Sequence, residues 1–93
     1  MHLNPAELKD LEEFASLFFS TPELAILLQQ PLSYLKAEMQ NPDSPVAAAI
    51  QRGRLLQEAK IRKSIIDLAT QGSSPAQAIV LKLIQEFKIS EAL

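Results

Sequence analysis

The sequence contains no cysteine, and this absence removes several kinds of chemistry at once. Disulfides, thiolate nucleophiles, iron–sulfur clusters and cysteine-ligated zinc are all excluded. The only histidine is His2, so the chain has no imidazole cluster for a metal and no credible base for a Ser-His-Asp arrangement. The two glycines, Gly53 and Gly72, lie far apart, whereas a phosphate-cradling loop needs several together. We therefore expect a protein that is not an enzyme and that uses neither a cofactor nor a metal.

Long apolar runs are also missing. No run approaches the ~18 residues that would cross a bilayer, and the N-terminus lacks the pattern of a signal peptide. The sequence thus predicts a cytoplasmic protein without membrane contact. Its 93 residues suffice for one small helical core but not for a deep cleft between two domains.

An excess of charge of one sign is absent too, because the formal net charge is only −2. The distribution is uneven, however. Residues 1–23 hold five acidic residues against Lys9 alone, and residues 52–63 hold five basic residues against Glu58 alone. Net charge therefore argues against a generic polyanion binder, and any contact with nucleic acid must come from a local surface.

What the sequence does have is proline at the positions where helices begin. Four prolines follow a residue of N-cap type: Asn4-Pro5, Thr21-Pro22, Ser44-Pro45 and Ser74-Pro75. The cap oxygen accepts a bond from an unpaired N–H, and proline suits the first helical position. Glu7 and Gln77 add capping-box partners, and Gln30-Pro31 is a weaker fifth start. Apolar residues recur with a 3.6-residue period and never alternate as in a strand, so the sequence predicts an all-α fold of five helices.

The predicted helices cover residues 5–19, 22–29, 31–40 and 45–71, and a last helix begins at residue 75. Their apolar faces make Leu35, Met39 and Ile84 core residues, and Phe18 and Phe19 end the apolar face of the first helix. The proline-rich elbow at residues 41–45 separates a three-helix unit, residues 1–41, from an antiparallel helical hairpin, residues 45–90. Apolar residues of the long helix span more than half its circumference. Either the rest of the chain covers both sides, or one side meets another protomer in a homo-oligomer, which the high apolar content favours.

The second and third helices have lengths typical of a helix-turn-helix, in which the second helix enters the DNA major groove. The predicted outward face of that helix carries Ser33, Tyr34 and Gln40, with Lys36 at its flank. Such side chains can contact base edges and phosphates. A plain three-helix bundle is the alternative, since Glu38 offsets Lys36 and the usual turn glycine is absent.

The long helix offers a second candidate surface. Arg52, Lys60 and Lys63 project into a sector about 80° wide. Arg54 and Arg62 project into the apolar arc instead, where they could extend to solvent, pair across an interface or meet phosphate. The sequence leaves these alternatives open.

Several of these segments together resemble one known family. They are Thr21-Pro22-Glu23-Leu24-Ala25, the elbow Asn41-Pro42-Asp43-Ser44-Pro45, Ala49-Ile50-Gln51-Arg52-Gly53-Arg54, and Ala69-Thr70-Gln71-Gly72-Ser73-Ser74-Pro75-Ala76-Gln77. Their order is similar to that in the small terminase subunits of tailed phages and prophages. The resemblance covers about three-quarters of the chain.

This resemblance implies a DNA-packaging subunit without nuclease or ATPase activity of its own. The helix-turn-helix would recognise duplex DNA, the hairpin would assemble protomers into an oligomer, and a large terminase subunit would be a further partner. The implied DNA-binding residues are those already singled out: Ser33, Tyr34, Lys36 and Gln40 on the recognition helix, and Arg52, Arg54, Lys60, Arg62 and Lys63 on the long helix. The alternative is a helical protein-interaction module, or a helix-turn-helix regulator, that has lost terminase function.

Overall fold

The computed structural model of the chain describes residues 3–93, so Met1 and the single histidine His2 lie outside the described residues. The described part contains five helices and no strand: α1 (Pro5–Ser16), α2 (Thr21–Leu27), α3 (Leu32–Met39), α4 (Pro45–Thr70) and α5 (Ser74–Ala92). The predicted all-α class is confirmed.

The helix starts follow the predicted chemistry, with three shifts of one residue. α2 and α5 each begin one residue earlier than predicted, whereas α3 begins one residue later, with Pro31 at the N-cap and no side-chain cap bond. Asn4 caps α1, and its side chain and that of Glu7 bond reciprocally to each other's backbone N–H at 2.8 and 3.0 Å. Ser44 Oγ accepts the first free N–H groups of α4. The predicted caps Thr21 and Ser74 are wrong, because the preceding serine takes the role in each case, Ser20 for α2 and Ser73 for α5. Proline then occupies the second helical position, where it also needs no donor.

The predicted extension of α1 to Phe19 is wrong. The helix ends at Ser16, and Phe18 takes a left-handed conformation with φ 63°. The ring of Phe19 then meets that of Phe14 edge to face, with centroids 6.4 Å apart. This turn brings the chain back along α1 so that α2 can pack on it.

Contacts divide the chain into two compact units, one up to Glu58 and the other Ala59–Leu93. In the first unit the fully buried large side chains are Leu11, Leu24, Leu35 and Ile50, one from each of α1 to α4. The boundary between the two compact units therefore lies inside α4. The prediction had placed it at the elbow, between residues 1–41 and residues 45–90. The first turns of α4 belong to the N-terminal core because Val46 and Ile50 are buried there.

Gly53 sets the closest approach of α1 and α4. A Cβ at this position would overlap the carbonyl oxygen of Glu12 and lie 3.1 Å from the Cβ of Ala15. The two backbones pack this closely because neither residue 15 nor residue 53 has a side chain beyond Cβ. The glycine is thus a packing requirement within the first unit.

The second unit consists of the end of α4, a short turn and α5. Gly72, with φ 103°, ends α4, and its N–H and that of Ser73 bond to the carbonyls of Ala69 and Leu68. This is the Schellman arrangement expected of a glycine-terminated helix. Gln77 does not complete a capping box as predicted, but its side chain donates to the Ala69 carbonyl at 3.1 Å and holds α5 to the end of α4.

Candidate nucleic-acid interface

The α2–α3 pair is the centre of the candidate site. Four residues connect the two helices, as in helix-turn-helix motifs, and within them Gln29 has φ 54°. Gln29 thus takes the left-handed conformation in a turn that lacks the usual glycine. Leu24 and Ala25 are buried on α2, and Leu35 is buried on α3, so these residues fix the packing of the pair. The Thr21 hydroxyl donates to Met39 Sδ at 3.4 Å and joins the start of α2 to the end of α3.

The outward face of α3 carries three of the four predicted side chains. Ser33, Lys36 and Gln40 are all exposed, and their spacing places them along one side of the helix. The exposed Ala37 between them leaves a shallow depression bordered by Lys36, Gln40 and Thr21. This side of α3 therefore offers a hydroxyl, an ammonium and an amide to whatever binds there.

Tyr34 does not share that face, and its predicted outward orientation is wrong. Its ring packs against the core of the first unit, and its hydroxyl oxygen is buried. Desolvation raises the pKa of the phenol, and the carboxylates of Glu38 and Glu7 raise it further, while the Leu3 backbone acts in the opposite direction. Helical projection of Leu32, Leu35 and Met39 placed Tyr34 outward. In the structure the half-buried residues of α3 are Leu32, Tyr34 and Glu38, so the covered side of the helix is turned toward Tyr34 and away from Met39.

The predicted core position of Met39 is also wrong. This residue is exposed at the end of α3. Its sulfur still accepts the Thr21 hydroxyl, so Met39 contacts the start of α2 although 38% of the residue is exposed.

The basic side chains of α4 are mostly engaged within the chain. Arg52 pairs with Glu12 at 3.1 Å, and Lys63 pairs with Asp67 one helical turn away at 3.3 Å. Arg54 donates to the Phe19 carbonyl at 3.0 Å, so its guanidinium ties α4 to the turn between α1 and α2. Lys60 and Arg62 are exposed. Arg52 and Arg54 therefore make structural contacts that helical projection did not predict, because their partners lie in segments distant in the sequence.

Charge is divided between the two units. Residues 1–58 hold eight acidic and four basic residues, a formal charge of −4, whereas residues 59–93 hold three and five, a charge of +2. Much of the acidic charge lies on α1. In the first turn of α2, the Glu23 carboxylate accepts bonds from the backbone N–H and the hydroxyl of Ser20, and these bonds lower its pKa. The unit that contains α3 is thus acidic overall, and an approaching polyanion meets favourable charge only locally.

The second unit exposes much apolar surface. Only Ala76 is buried in it, and the half-buried Ile65, Ala69, Val80 and Leu83 mark an inner line along the two helices. The other large apolar side chains are exposed: Ile61, Ile66, Leu68, Ile79, Leu81, Ile84, Phe87, Ile89 and Leu93. The predicted core position of Ile84 is therefore wrong for the single chain. Leu81 and Ile89 were not predicted to be exposed apolar residues. Both lie outside the predicted apolar stripe of α5, and this position indicated their exposure.

None of the helices in residues 3–93 combines the length and the apolar character that a membrane span requires. No group of three or more potential metal ligands comes together in the same range.

Comparison of the chain with known protein families, with curated proteins and with solved structures found no match.

Proposed function

We propose that this protein is a non-enzymatic DNA-recognition and assembly subunit acting in the cytoplasm, of the kind that small terminase subunits supply to phage or prophage DNA packaging. The observation that carries the proposal is the α2–α3 pair with Ser33, Lys36 and Gln40 exposed along one side of α3. In this arrangement α3 enters the major groove and α2 crosses the backbone. Lys36 contacts phosphate, whereas Ser33 and Gln40 contact base edges.

Charge limits what one copy can do. One lysine on α3 and a formal charge of −4 for residues 1–58 give weak attraction to phosphate. Several copies held together on neighbouring sites bind far more tightly than one, because each later contact is intramolecular. The proposal therefore requires assembly.

The second unit supplies the surface for that assembly. At about 100° per residue, Ile61 and Leu68 lie on one side of the inner line of α4, and Ile66 lies on the other. Ile79 and Ile84 flank the inner line of α5 in the same way. Both flanks of the unit are thus apolar, and all five side chains are exposed in the single chain. A contact that covered one flank would leave the other exposed, so we infer an assembly larger than a dimer.

A titration of duplex DNA at two salt concentrations tests DNA binding. Affinity should fall with a log–log slope of about −0.9 for each phosphate contact. Lys36→Glu should weaken binding to every sequence, whereas Ser33→Ala and Gln40→Ala should change sequence preference more than affinity. Lys9→Glu on α1 is the matched control, because it makes the same charge change at an exposed site away from α3. Equal effects of Lys36→Glu and Lys9→Glu would contradict recognition by α3.

A second result would assign the DNA-binding surface to α4 instead of α3. If Lys36→Glu leaves binding intact while Arg52→Glu with Lys63→Glu abolishes it, α4 contacts the DNA and α3 does not. Because Arg52 pairs with Glu12, the Glu12→Gln variant should be measured beside it to separate the loss of that pair from the loss of a phosphate contact.

A protein-interaction module is the second candidate function. The internal contacts of Arg52, Arg54 and Lys63 favour it, since these groups already have partners within the chain. Assembly without salt-dependent DNA binding would support this candidate. A chain that sediments as a monomer at high concentration would contradict assembly, and therefore both functions as stated.

A further inference from the structure

The outer face of α5, turned away from the inner line, is not used by the proposed function. It is defined by Leu81, Lys82, Gln85, Lys88, Ile89 and Ala92, all exposed. Leu81 and Ile89 are 63% and 64% accessible. The face itself combines apolar and basic groups, and Glu86 and Glu91 lie at its two borders, four residues after Lys82 and three after Lys88.

An exposed strip of opposite charge lies on α1. Ala6, Asp10 and Glu13 are exposed along one side of the helix, and Leu17, which is 61% accessible, follows them at its end. Within the first unit, neither Asp10 nor Glu13 is part of the Arg52–Glu12 pair, which lies on another side of α1. The exposed Lys9 lies at the border of this strip, four residues before Glu13, so two carboxylates face outward beside one ammonium. We call this strip the acidic face of α1.

Residues on both faces recur at the steps of the helical repeat, so the two faces can be set level with each other. Leu17, Glu13, Asp10 and Ala6 follow one another at steps of four, three and four residues, and so do Leu81, Gln85, Lys88 and Ala92. Two antiparallel helices share the same rise of about 1.5 Å per residue, so equal steps bring these residues level in pairs. Leu17 then meets Leu81, Asp10 meets Lys88 and Ala6 meets Ala92. Glu13 lies level with Gln85 and within reach of Lys82.

We propose that the acidic face of α1 docks antiparallel on the outer face of α5 of a second copy of this chain. The leucine pair removes apolar surface from water, and the opposite charges fix the register and orientation of the contact. The contact rests on the assembly inferred above and adds to it, because it uses neither apolar flank of the second unit.

Charge reversal at one pair tests the contact. Asp10→Lys and Lys88→Glu should each raise the dissociation constant of the assembly about ten-fold, as measured by sedimentation at low salt, because each places like charges together. The chain that carries both changes should recover to within about two-fold of the original value, as a double-mutant cycle requires. Asp43→Lys is the matched control, because it makes the same charge change at an exposed position of the elbow. Independent effects of the two reversals, without recovery, would overturn the proposal.

Cross-linking tests the register. Because the native chain has no cysteine, the variant with Leu17→Cys and Leu81→Cys should form disulfide-linked multimers under mild oxidation. A variant with Leu17→Cys and Ser90→Cys, which moves the second thiol off the outer face, should not. Equal cross-linking of the two variants, or a product confined to one chain, would refute the contact between copies.

The two proposals fail in different ways. If the unmodified chain assembles but neither charge reversal nor cross-linking behaves as described, the docking of α1 on α5 is wrong and assembly through the apolar flanks stands. If the unmodified chain is monomeric at all concentrations, both are wrong.

Discussion

Replacing Gly53 with alanine tests how α1 and α4 pack. On an isolated helix this change should stabilise by about 1 kcal/mol, because alanine has the higher helix propensity. Here the new Cβ would overlap the Glu12 carbonyl oxygen and come within 3.1 Å of the Ala15 Cβ. The oxygen belongs to the α1 backbone, so only a displacement of one helix from the other relieves the overlap.

That displacement loosens a core that includes Leu11, Ala15, Val46 and Ile50. Forcing additional atoms into a packed interior costs about 1–3 kcal/mol, and more when backbone must move. A clash with backbone places Gly53→Ala at the upper end of that range, so after the propensity gain we expect a net loss of about 1–2 kcal/mol. In a domain of this size such a loss lowers Tm by roughly 4–16 °C.

Tyrosine fluorescence gives a local readout of this loss. The chain has no tryptophan, and its single tyrosine, Tyr34, packs against the core of the first unit. Urea unfolding followed at this signal therefore reports the unit that contains Gly53. Gln51→Ala, at an exposed position of α4, is the control for helix propensity.

Two outcomes would refute the packing argument. Gly53→Ala could raise the stability by about 1 kcal/mol, as propensity alone requires. Alternatively, adding Ala15→Gly to Gly53→Ala could restore full stability, which would mean that the Ala15 side chain and not the Glu12 carbonyl is the obstacle.

Three further predictions concern α3, its turn and the second unit. Leu35→Ala should lower the free energy of unfolding in urea by about 2–5 kcal/mol, because Leu35 is fully buried. Ile84→Ala should lower it by less than about 1 kcal/mol in the monomer, because Ile84 is 42% exposed. Equal losses for the two variants would show that the core is misassigned. Gln29→Gly should stabilise the first unit by about 0.5–1 kcal/mol by removing the cost of a left-handed side-chain residue, and a lower Tm would contradict this. Tyr34 should make the chain sensitive to alkali: its folded pKa is raised, so above the ordinary phenol pKa of 10.0 the unfolded state loses its proton first and stability falls with rising pH. Tyr34→Phe should flatten that dependence in unfolding curves measured from neutral to alkaline pH, and an unchanged slope would exclude the phenol as its source.

The extent of the helices could be predicted from local chemistry. Cap residues, prolines and Gly72 act on backbone groups within a few residues, so they indicated the all-α class and placed the five helices to within a few residues at each end. Some remaining errors in the helix starts arise where two adjacent residues can both act as the N-cap. Two adjacent cap residues at Ser20-Thr21 and at Ser73-Ser74 left the choice of one residue open. The left-handed turn at Phe18 runs against its own side-chain preference, so the packing of the first unit, and not the sequence nearby, imposes it.

The candidate site depended on partners far away in the chain. Helical projection places a side chain on a face but does not say what covers that face, so Ser33, Lys36 and Gln40 were placed outward correctly and Tyr34 was not. The contacts of Arg52 with Glu12 and of Arg54 with the Phe19 carbonyl join segments that tertiary packing brings together. The same holds for Gly53, whose role is set by the Glu12 backbone. The sequence by itself determined where helices form, because capping and periodicity are local, whereas only the tertiary structure decided which polar groups are already engaged and which apolar faces remain uncovered.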